Sequence, residues 1–108
     1  MSDTMLAVLV VLDDQPHALA RLLARCHGRG WTPASLRYVS DGTFGEVVMR
    51  LIVPSDRRGT EAQVCKQLDR LVETQHVLVD LLAGVPDDIA FATLRRKARS
   101  SWAWPVGS

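Results

Sequence analysis

The side chains that could do chemistry in this 108-residue chain are few and scattered. Asp13-Asp14-Gln15-Pro16-His17 sets two carboxylates beside an imidazole, the residue types of general acid–base work. His17 could serve as a pH-sensing or catalytic histidine, but the stretch matches no catalytic motif, so it reads as a surface histidine at a helix start. His27 and His76 read as a helix-end and a strand-start residue. Ser35 and Ser40 belong to no nucleophile motif, and neither a phosphate-binding loop nor a dinucleotide glycine pattern occurs. Cys26 and Cys65 lack zinc-ligand spacing and do not form a CxxC pair; they read as small core residues of a reducing compartment. Arg95, Arg96, Lys97 and Arg99, followed by Trp102 and Trp104, combine cationic and aromatic side chains as nucleic-acid and membrane binders do. A charged terminal segment, or one that docks on a partner protein, is the simpler reading. With no catalytic constellation in view, the chain is expected to have no enzymatic activity by itself, no metal and no cofactor.

The composition, 47% hydrophobic and 23% charged with a net charge of +1, is that of a globular protein and gives no general attraction to a polyanion. A chain this short buries roughly 65% of its unfolded surface, which allows one modest core. The run from Met5 to Leu12 is too short to span a membrane and lacks the flanks of a signal peptide. A cytoplasmic location, without nucleic acid or membrane as partner, is the expectation.

These residues need elements to position them. Met5 to Leu12 is a continuous β-branched-rich run, the pattern of a central strand covered on both faces. Leu19, Leu22, Leu23 and Cys26 recur at helical spacing, in a helix opened by Asp14 or Pro16 and closed near Gly28 or Gly30. Pro33 to Ser40 alternates, with Ala34, Leu36 and Tyr38 opposite Ser35, Arg37 and Val39. Asp41-Gly42 suits both central positions of a type I′ turn, and Phe44 to Val53 alternates again, with Val47, Met49, Leu51 and Val53 on one face. Val64, Leu68, Leu71 and Val72 predict a second helix whose charges, Lys66, Asp69, Arg70 and Glu73, point away. Val77 to Leu82 predicts a fourth strand with Val77, Val79 and Leu81 inward.

The order is βαββαβ: an α+β, ferredoxin-like fold, with an antiparallel four-stranded sheet and two helices on one face. The expected core is Val8, Val10, Leu19, Leu22, Leu23, Val47, Met49, Leu51, Val64, Leu68, Leu71 and Val79. The domain is expected over 4–83. Residues 84–108 form a C-terminal extension with a short helix, capped by Asp87 or Asp88 and carrying Ile89, Ala92 and Leu94, which has no place in that core. The expectation that follows is that this extension is dispensable for folding.

Three stretches narrow the reading. Val10-Val-Leu-Asp-Asp-Gln-Pro-His-Ala-Leu-Ala-Arg-Leu-Leu23 resembles the first strand, loop and helix of ACT domains. Arg29-Gly-Trp-Thr-Pro-Ala-Ser-Leu36 looks like the Arg-Gly-aromatic-Asn-hydrophobic-x-Ser-Leu motif of acetolactate synthase small subunits. Lys66-Gln-Leu-Asp-Arg-Leu-Val72 before His76-Val is similar to that family's second helix. The chain therefore resembles the compact, short form of the ACT-domain small subunit of acetolactate synthase (acetohydroxyacid synthase) over about residues 5 to 82.

The resemblance implies a regulatory, activating subunit in branched-chain amino acid biosynthesis. Its partner would be the large catalytic subunit, which carries thiamine diphosphate, Mg and FAD. It further implies a homodimer, with Trp31, Ser35, Arg37 and Val39 at the dimer interface. A branched-chain amino acid effector would lie near Asp14, Gln15, Pro16, His17, Ala18, Leu19, Trp31, Thr32 and Pro33. Two departures stand at that site: His17 holds the position usually given to glycine, and Thr32 the position usually given to asparagine. They imply weak or no valine feedback. The alternative is a stand-alone ACT domain that binds an amino-acid effector in another pathway.

Overall fold

The computed structural model describes residues 3–56, 59–82 and 84–101. Four strands, β1 (Asp3–Asp13), β2 (Thr32–Ser40), β3 (Phe44–Pro54) and β4 (Thr74–Asp80), form one antiparallel sheet in the order β2-β3-β1-β4. The two interior strands are the most apolar runs of the sequence. In β1 every residue from Leu6 to Leu12 is buried, because alternate side chains go to opposite faces and both faces are covered. Leu6, Val8, Val10 and Leu12 join one core; Ala7, Leu9 and Val11 join another. The α+β, ferredoxin-like plan with antiparallel four-stranded sheet is as the alternation predicts.

Helices α1 (Ala18–Gly28) and α2 (Glu61–Asp69) cover the first face. Leu22 and Cys26 of α1 and Val64 and Leu68 of α2 are buried against Val47, Met49 and Leu51 of β3, while Leu19 packs from the flank. Burying a side chain of this size stabilises by about 1.5–3 kcal/mol. The end of α1 is set by Gly30, whose φ of 75° needs a residue without Cβ. Gly30 N–H bonds to His27 O at 3.0 Å and Trp31 N–H to Cys26 O at 2.9 Å, a Schellman closure that turns Trp31 into the core beside Cys26. At the start of α2, Thr60 accepts from Gln63 N–H at 3.2 Å. Arg29 donates to Gln67 Oε1 at 2.6 Å and so ties α1 to α2.

The second face belongs to α3 (Asp87–Ser101). Ala90, Phe91, Leu94 and Ala98 are buried against Ala7, Leu9, Val11 and Val48. The segment expected to stand outside the core therefore completes it, and the helix is longer than anticipated and turned differently. Of the residues expected on this helix, Leu94 is buried while Ile89 and Ala92 are exposed, and the buried face also takes in Ala90, Phe91 and Ala98. Two charged side chains, each only 3% exposed, fix the docking. Arg50 donates to Leu82 O and Val85 O, both at 3.0 Å, gathering the connection in which Leu82 holds a φ of 39°. Glu46 meets Arg95 Nε at 2.8 Å. Burial pushes the Glu46 carboxyl upward, and the charges of Arg95 and Arg99 work against that shift.

Other expectations are corrected around the sheet ends. The helical stripe stops early: Leu71 and Val72 lie beyond α2, and Val72 is 79% exposed while Glu73, expected outside, is 4% exposed. Strand β4 begins at Thr74, three residues earlier than expected, and Leu81 lies past its end and is exposed. In the β2–β3 hairpin, Gly42 (φ 90°) has positive φ and Asp41 does not, so the central pair is Gly42-Thr43, one residue along from the expected Asp41-Gly42. Asp41 instead closes the turn: its N–H bonds to Phe44 O, and its Oδ1 accepts from Thr43 and Phe44 N–H groups at 2.9 and 2.8 Å. Those bonds, Phe44 first, hold its carboxyl below the usual range. Trp102 and Trp104 lie outside the described residues.

Because Leu94 is fully buried on the second face, Leu94→Ala should lower the unfolding free energy by about 2–5 kcal/mol in urea titration. Val72→Ala, at an exposed position, should change it by less than about 0.5 kcal/mol. Equal effects would show that α3 does not pack as described.

Candidate functional site

The loop between β1 and α1 spends its polar groups on its own neighbours. Asp13 accepts from Gln75 Nε2 at 2.6 Å, and its N–H donates to Glu73 O at 2.8 Å. Asp14 accepts from Tyr38 Oη at 2.7 Å and from Ser40 Oγ at 2.5 Å, and its N–H donates to Thr43 O at 3.0 Å. These hydroxyl bonds, Ser40 first and Tyr38 second, hold the Asp14 carboxyl below its ordinary value. The Tyr38 phenol is raised, by burial first and by Asp14 next. Gly45 permits the contact: a Cβ there would lie 2.5–2.9 Å from the Tyr38 ring and hydroxyl. A side chain at position 45 would push the ring off β3 and away from Asp14.

His17 stands at the N-cap of α1 without making a side-chain cap bond. Its Nε2 lies 3.5 Å from Glu73 Oε2, and Arg21 Nη1 lies 3.3 Å from the same oxygen. The other Glu73 oxygen, Oε1, is buried with no hydrogen-bond partner among the described residues. Gln15 and Pro16 are exposed, Ala18 is buried, and Leu19 packs half-buried against the core. Sequence reasoning missed Glu73, Tyr38 and Gly45. Glu73 follows a helix as an ordinary surface charge would, and nothing in its neighbourhood marks it for burial.

The second half of the predicted site lies elsewhere. Trp31 is buried in the first-face core, Thr32 opens β2 opposite Ile52 and is exposed, and Pro33 is half-buried. From Thr32 to Ser40, β2 advances eight residues, roughly 26 Å at ~3.3 Å each. One chain thus keeps Thr32 apart from the Asp14 loop. Along β2, Arg37 stacks over the Phe91 ring of α3 at 5.6 Å from its centroid, Ser35 is half-buried, and Leu36, Tyr38 and Val39 are exposed on an outer strand. Among the described residues, no group of three or more His, Cys, Asp or Glu side chains is placed to hold a metal ion. Nor, among them, is any helix long and apolar enough to cross a membrane.

The ACT domain from the GTP pyrophosphokinase of Chlorobium tepidum superposes on this chain with a TM-score of 0.61, at 8% identity, over 73% of this chain and 100% of that one. The fold is that of an ACT domain. The C-terminal domain of the MgtC protein from Mycobacterium tuberculosis is also similar, with a TM-score of 0.57 at 12% identity over 79% of this chain and 96% of that one. No family model matches the sequence, and neither does any curated protein. At these identities the likeness speaks for the ACT-type fold alone.

The depressed Asp14 carboxyl makes an acid-dependent link between loop and hairpin. Its contribution is present above the unfolded-chain value near ~3.9 and is lost as pH falls through the lower folded value. Asp14→Asn should therefore flatten the loss of thermal stability between about pH 4 and pH 2 relative to the parent chain. An unchanged slope would show that the carboxylate is not held by Tyr38 and Ser40 in solution.

Proposed function

We propose that this chain is a non-catalytic regulatory subunit, the activating small subunit of a thiamine-diphosphate-dependent acetolactate synthase, with weak or no response to valine. The observation that carries the reading is the ACT-type fold combined with a β1–α1 loop whose carboxylates are already engaged. Asp14 already accepts from Tyr38 and Ser40, so a ligand ammonium group would have to share its carboxylate with those hydroxyls. His17 occupies the helix start where close approach of a ligand to the backbone favours glycine. Thr32 lacks the paired amide donor and acceptor of asparagine. Loss of one hydrogen bond to a charged ligand costs about 1.5–3 kcal/mol, about ten- to hundredfold in affinity.

The exposed edge of the sheet supports the same reading. The outer edge of β2 has no strand partner among the described residues and runs beside exposed Leu36, Tyr38 and Val39, a surface suited to strand addition by a second copy. Antiparallel pairing centred on Leu36 would set Thr32 opposite Ser40 of the second copy, next to that copy's Asp14 loop. An effector site would then be completed between two chains. Activation depends on contact with the large subunit, which would hold thiamine diphosphate, Mg and FAD, so it survives loss of effector binding. The alternative, a stand-alone ACT-type domain with an amino-acid effector in another pathway, is favoured by the solved neighbours, an ACT domain of a GTP pyrophosphokinase and a domain of MgtC.

The test is co-purification from the source cell followed by reconstitution. A thiamine-diphosphate-dependent large subunit should be recovered, and adding this chain should raise acetolactate formation with little change on valine titration. His17→Gly with Thr32→Asn should increase valine sensitivity at least about tenfold. Absence of both recovery and activation would overturn the acetolactate assignment, and tight valine binding with strong inhibition would overturn the weak response.

A further inference from the structure

The outer face of α3 carries a feature that the regulatory reading does not use. Ala92, Arg95, Arg96, Arg99 and Ser100 form one stripe along the helix, spaced at i, i+3, i+4, i+7 and i+8, and line a groove of about 360 Å³. Small residues at both ends leave the depression, and three guanidinium groups surround it. Behind the groove Glu46 forms an ion pair with Arg95 at 2.8 Å, and its carboxyl also feels the charge of Arg99. Ser100 Oγ donates to Arg96 O at the groove's far end. Like charges four residues apart on a helix repel, so a bound anion would relieve the repulsion along this stripe, and the arginines outweigh the negative end of the helix dipole, which offsets part of their charge.

We propose that this groove is a binding site for a small anion carrying a diphosphate group. Guanidinium groups present planar forks that match phosphoryl oxygens in pairs, and two or three around one groove suit a multivalent anion better than a single carboxylate. The volume lies near the lower end of small-ligand sites. A long polyanion fits less well: the cations are confined to the last turns of one helix, and the whole chain carries only +1. Lys97 does not belong to the groove. It turns to the other flank of α3, where it pairs with Asp80 of β4.

That division provides the control. Calorimetry of the full chain with sodium pyrophosphate at low ionic strength should show saturable binding of one anion per chain. Arg96→Gln with Arg99→Gln should weaken it at least about tenfold, while Lys97→Gln, which removes the same kind of charge from the other flank, should change it less than about twofold. If thermal unfolding shows that the Arg99 change loosens α3, Arg96→Gln alone should still weaken binding severalfold. ADP binding with the same dependence on Arg96 would support the site and place its diphosphate on a nucleotide, whereas pyrophosphate preferred over ADP would support a free anion. No saturable binding, equal losses from Lys97→Gln and the arginine changes, or a single-stranded oligonucleotide binding more tightly than pyrophosphate would overturn the proposal. None of these readouts depends on an acetolactate synthase partner.

Discussion

Everything in this chain depends on burying β1 and β3 on both faces. An interior strand with Leu6, Val8, Val10 and Leu12 on one side and Ala7, Leu9 and Val11 on the other cannot leave either side in water. The first face is closed by α1 and α2, and the second by α3. Polar groups inside the second layer give that closure its register. Glu46 and Arg50 are set among apolar side chains, and an undocked α3 would leave them without Arg95 and without the Leu82 and Val85 carbonyls. The C-terminal helix is therefore a structural third layer of the domain.

The same constraint shapes the candidate site. With the sheet closed above and below, its open features are the strand edges and the loops at its ends. At one end, the hydroxyls of Tyr38 and Ser40 hold the β1–α1 loop to the hairpin, and Gln75 and Glu73 hold it to the start of β4. Such a loop is preorganised by its own side chains, so an effector would gain little from Asp13 or Asp14. What stays open is the β2 edge, where contact with a second chain involves residues that the single chain leaves exposed.

Alternating and helical apolar patterns made the four strands, the first two helices and most of the first core legible in the sequence. The continuous apolar run of Met5 to Leu12 also implied a two-sided strand, and that implication required a cover for the second face. The pattern of α3 hid the cover. Its buried face uses Ala90 and Ala98 as well as Phe91 and Leu94, and alanines carry a weak hydrophobic signal beside four cations. Glu46 and Arg50 interrupt one face of β3 in the sequence, and nothing local marks them for burial, because their partners lie 30 to 50 residues away. The Asp14 cluster was visible only as residue types. The hydroxyls of Tyr38 and Ser40 reach it through the hairpin register and through the space at Gly45, which no spacing rule reveals.

Native-state hydrogen exchange on the full chain addresses the three-layer account most directly. If α3 is integral, the amides of Leu94 to Ala98 should exchange through the same global opening as those of Val8 to Val11, with equal free energies and equal sensitivity to denaturant. Exchange of the α3 amides through a separate opening several kcal/mol lower in free energy, with β1 still protected, would contradict it and return the domain to a two-layer unit with an appended helix.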